Sequence, residues 1–202
     1  MARRGSPEPA GVLLAPGAGS DRNEASLVAI EAALAPLPVW RMDFPYRIAG
    51  RKAPDRAPVL IAALAEALDE AEAQCGAGRL VIGGRSMGGR MASMLVAQGR
   101  AAAGLVLISY PLHPPGRPDK LRTEHLPAVN VPCLFVSGTR DAFATPDELT
   151  AATSVIEGPV THVWLEGGDH GLRRHVDQVV AAVGSWVKDL GAPRRGTRGR
   201  LS

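Results

Sequence analysis

Short apolar runs alternate with alanine-rich stretches from residue 11 to residue 190, and this rhythm narrows the fold more than any other feature of the chain. The runs Val12–Ala15, Val39–Asp43, Leu80–Gly83, Gly104–Ser109, Cys133–Ser137 and His162–Leu165 are mostly continuous rather than alternating in polarity. Continuous apolar runs of this length suit strands covered on both faces. The intervening stretches Glu24–Leu34, Ala57–Gln74, Gly88–Gln98, Pro146–Ile156 and Leu172–Leu190 carry helix-forming composition. The fourth opens Thr145-Pro146-Asp147-Glu148, in which Thr145 can cap, Pro146 suits the first turn and Glu148 completes a capping box. Strand, helix and strand in succession predict an α/β domain with a mostly parallel central sheet of about six strands flanked by helices.

At 202 residues the chain fits one domain with one hydrophobic core, and no repeat or long Pro/Gly/Ser stretch divides it. The expected layout is a flexible N-terminus over 1–10, the domain over 11–190 and a basic disordered tail over 191–202. The net charge of +3 is carried by the ends: residues 1–10 contribute +1 and the four arginines of 192–202 contribute +4, leaving 11–191 at −2. No aromatic side chain interleaves those tail arginines, so a solvated tail is expected and a nucleic-acid partner is not. Pro, Gly or a charge interrupts every apolar run short of a membrane span. The short run near the start is broken by Pro16 and belongs to a strand, so an export signal is not expected and the cytoplasm is the expected location. Cys75 and Cys133 are isolated and lack metal-site spacing, which predicts two free thiols.

Gly84-Arg85-Ser86-Met87-Gly88 fits Gly-x-Ser-x-Gly and stands directly between the run Leu80–Gly83 and a helical stretch. Placed there, a serine in a sharp turn projects its hydroxyl above the carboxyl end of the sheet, and glycine two residues away on either side avoids collision with the backbone. The amide of Met87 then lies at a helix N-terminus, where developing negative charge is favoured. The loop lacks the lysine of a nucleotide-binding P-loop. A packing turn without chemistry is the plain alternative.

A serine hydroxyl needs a base to take its proton during attack. His170 follows the last strand through Gly167-Gly168 and precedes a helix, the place of the base in an α/β hydrolase. His113 and His125 come before the acid in chain order, His162 opens a strand, and His175 falls on a helix. Asp141, just past the strand Cys133–Ser137, is the carboxylate that can hold one imidazole tautomer. Asp147 is explained as a first-turn helix residue and Asp169 points elsewhere. For the second oxyanion donor the loop after the first strand offers the Ala18 amide, with Gly17 and Gly19 letting the backbone approach a substrate. Phe44 and Tyr110 follow strands and are candidates for the pocket wall. Arg85 and Arg90 flank the elbow, where ordinary salt bridges compete with a role in attracting an acidic substrate. The Pro-rich connection from Ser109 to Pro132 is the one insertion able to form a lid, which implies a minimal cap.

The stretches "GGRSMGGR", "ISYPLHPPGRPDKLRTEHL", "LFVSGTRDAF" and "GGDH" resemble the small α/β hydrolases grouped with dienelactone hydrolases, and more closely a KANL-type, testis-expressed branch. The similarity spans residues 11–190 and implies an α/β-hydrolase fold with nucleophile, acid and base at Ser86, Asp141 and His170. Dienelactone hydrolases carry cysteine where this chain has Ser86, so their particular activity is not implied. Together these readings predict a serine hydrolase acting on a small carboxylic ester or thioester, with no metal and no organic cofactor. The rival from another class is a catalytically idle scaffold that binds a ligand or partner through the same pocket.

Overall fold

The computed structural model describes residues 8–191. In chain order the elements are β1 (Gly11–Ala15), α1 (Ala25–Leu34), β2 (Val39–Arg41), α2 (Pro45–Ile48), α3 (Ala57–Cys75), β3 (Leu80–Arg85), α4 (Met87–Ala97), β4 (Gly104–Ile108), β5 (Cys133–Gly138), α5 (Pro146–Thr153), β6 (Val160–Leu165) and α6 (Val176–Gly191). The six strands form one sheet in the order β2-β1-β3-β4-β5-β6, and every neighbouring pair is parallel. The mostly parallel sheet expected from the sequence is therefore wholly parallel.

Successive residues of a strand point to opposite faces, and here both faces are covered. Leu13, Ile82, Leu105, Leu107 and Phe135 enter one core with Leu64 and Leu68 of α3 and Met91 of α4. Val12, Leu14, Val106, Ile108 and Val136 enter the other with Leu27 and Ile30 of α1 and Val179 and Val183 of α6. This double burial is why the strands read as unbroken apolar runs. The chain steps outward from β1 to β2 and then returns to lay β3 on the other side of β1. Loops leaving β1 and β3 consequently diverge at their carboxyl ends, the place where α/β sheets open a crevice.

Several boundaries differ from the sequence expectation for visible reasons. Pro9 is buried and the Ala10 amide donates to the Arg79 carbonyl at 2.8 Å, so the chain is engaged with the sheet before Gly11. Strand β2 stops at Arg41 because Asp43 turns to accept from the Arg22 amide at 2.7 Å and Nε at 2.9 Å. Helix α6 starts at Val176 rather than Leu172, since Leu172 adopts a φ of 47° that no α-helix continues. His162 does not open β6 but sits within it, its ring stacked between Phe135 at 5.3 Å and Trp164 at 5.1 Å. The capping box of α5 forms as expected. Cys133 is buried and Cys75 half-buried, both free, and burial pushes the Cys133 thiol up to about 12. The expected tail lies outside the described residues apart from Gly191, which ends α6.

Candidate active site

Ser86 joins β3 to α4 with φ 48° and ψ −114°, a left-handed conformation that costs a residue with a side chain about 1–3 kcal/mol. The turn is held from both sides. The Ser86 amide donates to the Ile108 carbonyl at 2.8 Å, and the Ser86 carbonyl accepts from the Arg90 amide at 3.0 Å. A Cβ at Gly84, whose φ is 140°, would lie 1.9 Å from the Ala15 carbonyl oxygen, and one at Gly88 would lie 2.3 Å from the same oxygen. Only glycine lets β1 and α4 approach this closely. The Ser86 side chain makes no capping bond to its own helix, which leaves the hydroxyl directed elsewhere.

It is directed at His170. Ser86 Oγ stands 2.9 Å from His170 Nε2, and His170 Nδ1 stands 3.0 and 2.9 Å from the two carboxylate oxygens of Asp141. A carboxylate can only accept, so Nδ1 carries the proton and Nε2 is the lone pair facing the hydroxyl. Asp141 Oδ1 also accepts from the Phe143 amide at 2.8 Å. The Asp141 side chain is 1% exposed whereas that of His170 keeps 23%, so the carboxylate is screened from water while the imidazole stays open to a reactant.

Two residues that the sequence did not single out for these tasks hold the imidazole in place. The Phe143 ring stacks on the His170 ring at 4.0 Å between centroids, and the Phe143 carbonyl is itself fixed by the His113 amide at 3.1 Å. Arg85 reaches Glu24 Oε1 with Nη1 at 3.2 Å and donates through Nη2 to the His170 carbonyl. Arg85 therefore ties the histidine loop to the start of α1, whose Ser26 and Leu27 amides Glu24 caps. Its sequence spacing from Ser86 carried no sign of this, because both partners are distant in the chain.

Gly17 lies against the elbow: a Cβ there would sit 3.6 Å from Ser86 Cβ. Ala18 is exposed and its carbonyl accepts from the Tyr46 hydroxyl at 2.7 Å, while Gly19 has open space where a side chain would be. Among the described residues neither the Met87 nor the Ala18 amide has a hydrogen-bond acceptor. Phe44 and Tyr110, by contrast, are not pocket walls. Both are fully buried, Phe44 beside Tyr46 and Tyr110 edge-on to Phe135, because each side chain turns into the core after its strand ends. Tyr110 Oη lies 3.1 Å from His125 Nε2, and burial raises its pKa to about 12. The Pro-rich connection is less lid than support: Pro111, Leu112 and His113 are buried, and the exposed part begins at Pro115. Ser86 lines none of the cavities of about 570, 440 and 380 Å³ found elsewhere on the molecule.

A family model described as an alpha/beta hydrolase domain matches residues 8–185. The chain belongs to the α/β-hydrolase family. Solved structures agree on the fold of this α/β hydrolase at low identity. Est1E from Butyrivibrio proteoclasticus matches with a TM-score of 0.74 at 15% identity, over 91% of this chain and 89% of its own. An alpha-beta serine hydrolase homologue from Coxiella burnetii gives 0.70 at 17%, covering 89% and 86%. The RedJ thioesterase of the prodiginine pathway in Streptomyces coelicolor gives 0.67 at 18%, covering 92% and 96%. Among the described residues of this α/β hydrolase, no helix is long and apolar enough to cross a membrane, and no group of three or more His, Cys, Asp or Glu side chains could hold a metal ion.

Proposed function

We propose that this α/β hydrolase is a serine hydrolase that cleaves a carboxylic ester or thioester of a small molecule through an acyl-enzyme on Ser86. The observation that carries the reading is the unbroken chain of contacts from Ser86 Oγ through His170 to Asp141, at 2.9 Å and then 3.0 and 2.9 Å. In this reading Ser86 Oγ attacks the carbonyl carbon as His170 Nε2 takes its proton, and Asp141 stabilises the imidazolium without itself being protonated. The Met87 and Ala18 amides receive the oxyanion, with Gly17 and Gly19 giving the substrate room. His170 returns the proton to the departing alcohol or thiol. It then takes a proton from water, whose oxygen attacks the acyl carbon and releases the acid with Ser86 regenerated.

The family supports hydrolysis as the reaction class, and the RedJ thioesterase is one neighbour whose name fits a thioester. The likeness to dienelactone hydrolases and to the KANL-type branch is part of the same reading, and because dienelactone hydrolases carry cysteine where this chain has Ser86, their particular activity is not carried over. Two free thiols fit a reducing compartment, and we extend the reading to a cytoplasmic location. A fluorophosphonate probe is expected to label native protein at Ser86 and to leave the Ser86→Ala variant unlabelled. Native protein that stays unlabelled while folded would remove the proposal and favour the ligand-binding scaffold.

A further inference from the structure

Seven of the fourteen arginines in the described residues form ion pairs with carboxylates of that region, and Arg140, Arg173 and Arg174 are among the seven that do not. These three, all exposed, line one cavity of about 440 Å³ together with Gly167, Asp169 and His175. An exposed arginine standing alone is satisfied by water, but three around one concavity repel one another. Asp169 is the only carboxylate in the lining, and its Oδ1 already accepts from the Leu172 amide at 3.0 Å. Three arginines against one aspartate give the wall a formal charge of +2. Glu166 and Asp177 are near in sequence, but neither lines the cavity.

The chain builds this cavity from the two loops that follow β5 and β6. Arg140 directly precedes Asp141, and Asp169 directly precedes His170. The loops are locked together: the Arg140 amide donates to the Gly168 carbonyl at 2.9 Å, and the Gly167 amide donates to Thr139 Oγ1 at 2.9 Å. A Cβ at Gly138 would lie 2.1 Å from the Gly168 carbonyl oxygen, so only glycine permits the approach. Leu172, with its φ of 47°, buries its own side chain and leaves Arg173 and Arg174 outside. His175 Nε2 donates to the Glu166 carbonyl at 3.1 Å and closes the turn. The arginines therefore project from fixed backbone, which lowers the cost of ordering them around a ligand. Neither Ser86 nor His170 lines the cavity, so it is separate from the catalytic contacts.

We propose that this cavity binds a phosphomonoester group, held between Arg140 on the loop of the acid and Arg173 and Arg174 on the loop of the base. A phosphomonoester carries about −1.5 to −2 at neutral pH and three acceptor oxygens, which matches a wall of like magnitude and opposite sign. A carboxylate or sulfonate brings a single charge and leaves part of the repulsion in place. Planar guanidinium forks suit phosphate oxygens, and an anion bridging the two loops converts their mutual repulsion into attraction. The site goes beyond the Ser86 reaction and stands without it.

Calorimetry at fixed ionic strength tests the site with phenyl phosphate and with benzenesulfonate, which has three oxygens but a single charge. Native protein and Ser86→Ala are both expected to bind phenyl phosphate saturably, about tenfold or more tighter than the sulfonate. Arg140→Gln, Arg173→Gln and Arg174→Gln are each expected to weaken that binding about tenfold, the size of one charge-assisted hydrogen bond. Arg56→Gln, an exposed and unpaired arginine outside the cavity, should leave it unchanged. Because each substitution removes a repelling charge from the surface, the urea midpoint of the ligand-free variants should not fall. Sedimentation with phosphatidylcholine vesicles, with and without phosphatidic acid, separates the two sources of a phosphomonoester. Sedimentation that requires phosphatidic acid and is lost in the arginine variants assigns the group to a lipid headgroup; phenyl phosphate binding without sedimentation assigns it to a soluble molecule. Binding abolished by Ser86→Ala would place the anion at the catalytic serine and overturn the proposal. Affinity unchanged in all three arginine variants, equal affinity for the sulfonate, or no binding by either route overturns it as well. A lowered midpoint in all three variants would assign the arginines a structural role instead.

Discussion

Replacing Arg85 by methionine should damage both stability and turnover, and the size of each loss follows from what the guanidinium holds. Its Nη1 lies 3.2 Å from Glu24, with the two side chains only 13% and 16% exposed, so solvent screens the pair weakly. Breaking a fully buried pair by removing one partner costs about 3–5 kcal/mol. Here Glu24 keeps the Ser26 and Leu27 amides at 3.1 and 3.2 Å through its other oxygen, so its charge is not stranded. We therefore expect about 2 kcal/mol, the value of one charge-assisted bond, read as a lower urea midpoint at constant slope. The second bond, to the His170 carbonyl, fixes the loop that carries the imidazole. Without it the ring still has Asp141 and Phe143, so kcat for a nitrophenyl ester should fall by about tenfold to a hundredfold with little change in KM. Arg85→Lys keeps the charge but cannot span both acceptors, and should restore part of the stability and little of kcat. A methionine variant with wild-type kcat, or complete rescue of kcat by lysine, would refute the tethering role. In the Glu24→Gln background the stability cost of losing Arg85 should shrink, because no carboxylate is left without its partner.

Asp141→Asn should lower kcat by about a thousandfold or more while leaving the fold intact, since an amide can present a donor to Nδ1 and favour the wrong imidazole tautomer. Gly88→Ala should cost about 1–3 kcal/mol in thermal unfolding, because the new methyl would sit 2.3 Å from the Ala15 carbonyl oxygen and backbone has to move. His125 is held below its ordinary value, at about 4, first by burial and then by Arg90. The folded state then binds fewer protons than the unfolded chain below pH 6.5, so stability is complete above that pH and declines as pH falls toward 4. Allowing for the ring's partial exposure, the loss is about 1–2 kcal/mol, and His125→Gln should flatten that part of the pH profile of urea unfolding.

Much of the architecture was legible because parallel strands buried on both faces leave an unmistakable apolar rhythm, and all six strands lie where that rhythm puts them. Ends were less legible where a side chain outcompetes the pattern. Asp43 stops β2 by bonding Arg22, and the φ of Leu172 delays α6, neither of which periodicity registers. Ser86, Asp141 and His170 were readable because each follows a strand at the edge where loops converge, and the fold brings the three within hydrogen-bond distance. Phe44 and Tyr110 also follow strands, yet position after a strand does not say which way a side chain turns, and both turn into the core. Arg85, Phe143 and Tyr46 support the site through partners 85, 27 and 28 residues away in sequence, distances at which no local signal survives.

A serine nucleophile becomes acylated during turnover, and here that residue would be Ser86. Mixing the protein with 4-nitrophenyl acetate, quenching in acid and mapping the peptides by mass should find an acetyl group on Ser86, accumulating more in a His170→Gln variant if deacylation is slowed more than attack. Turnover of the ester without any acyl group on Ser86, or acylation at another residue with Ser86→Ala still active, would rule out Ser86 as the nucleophile.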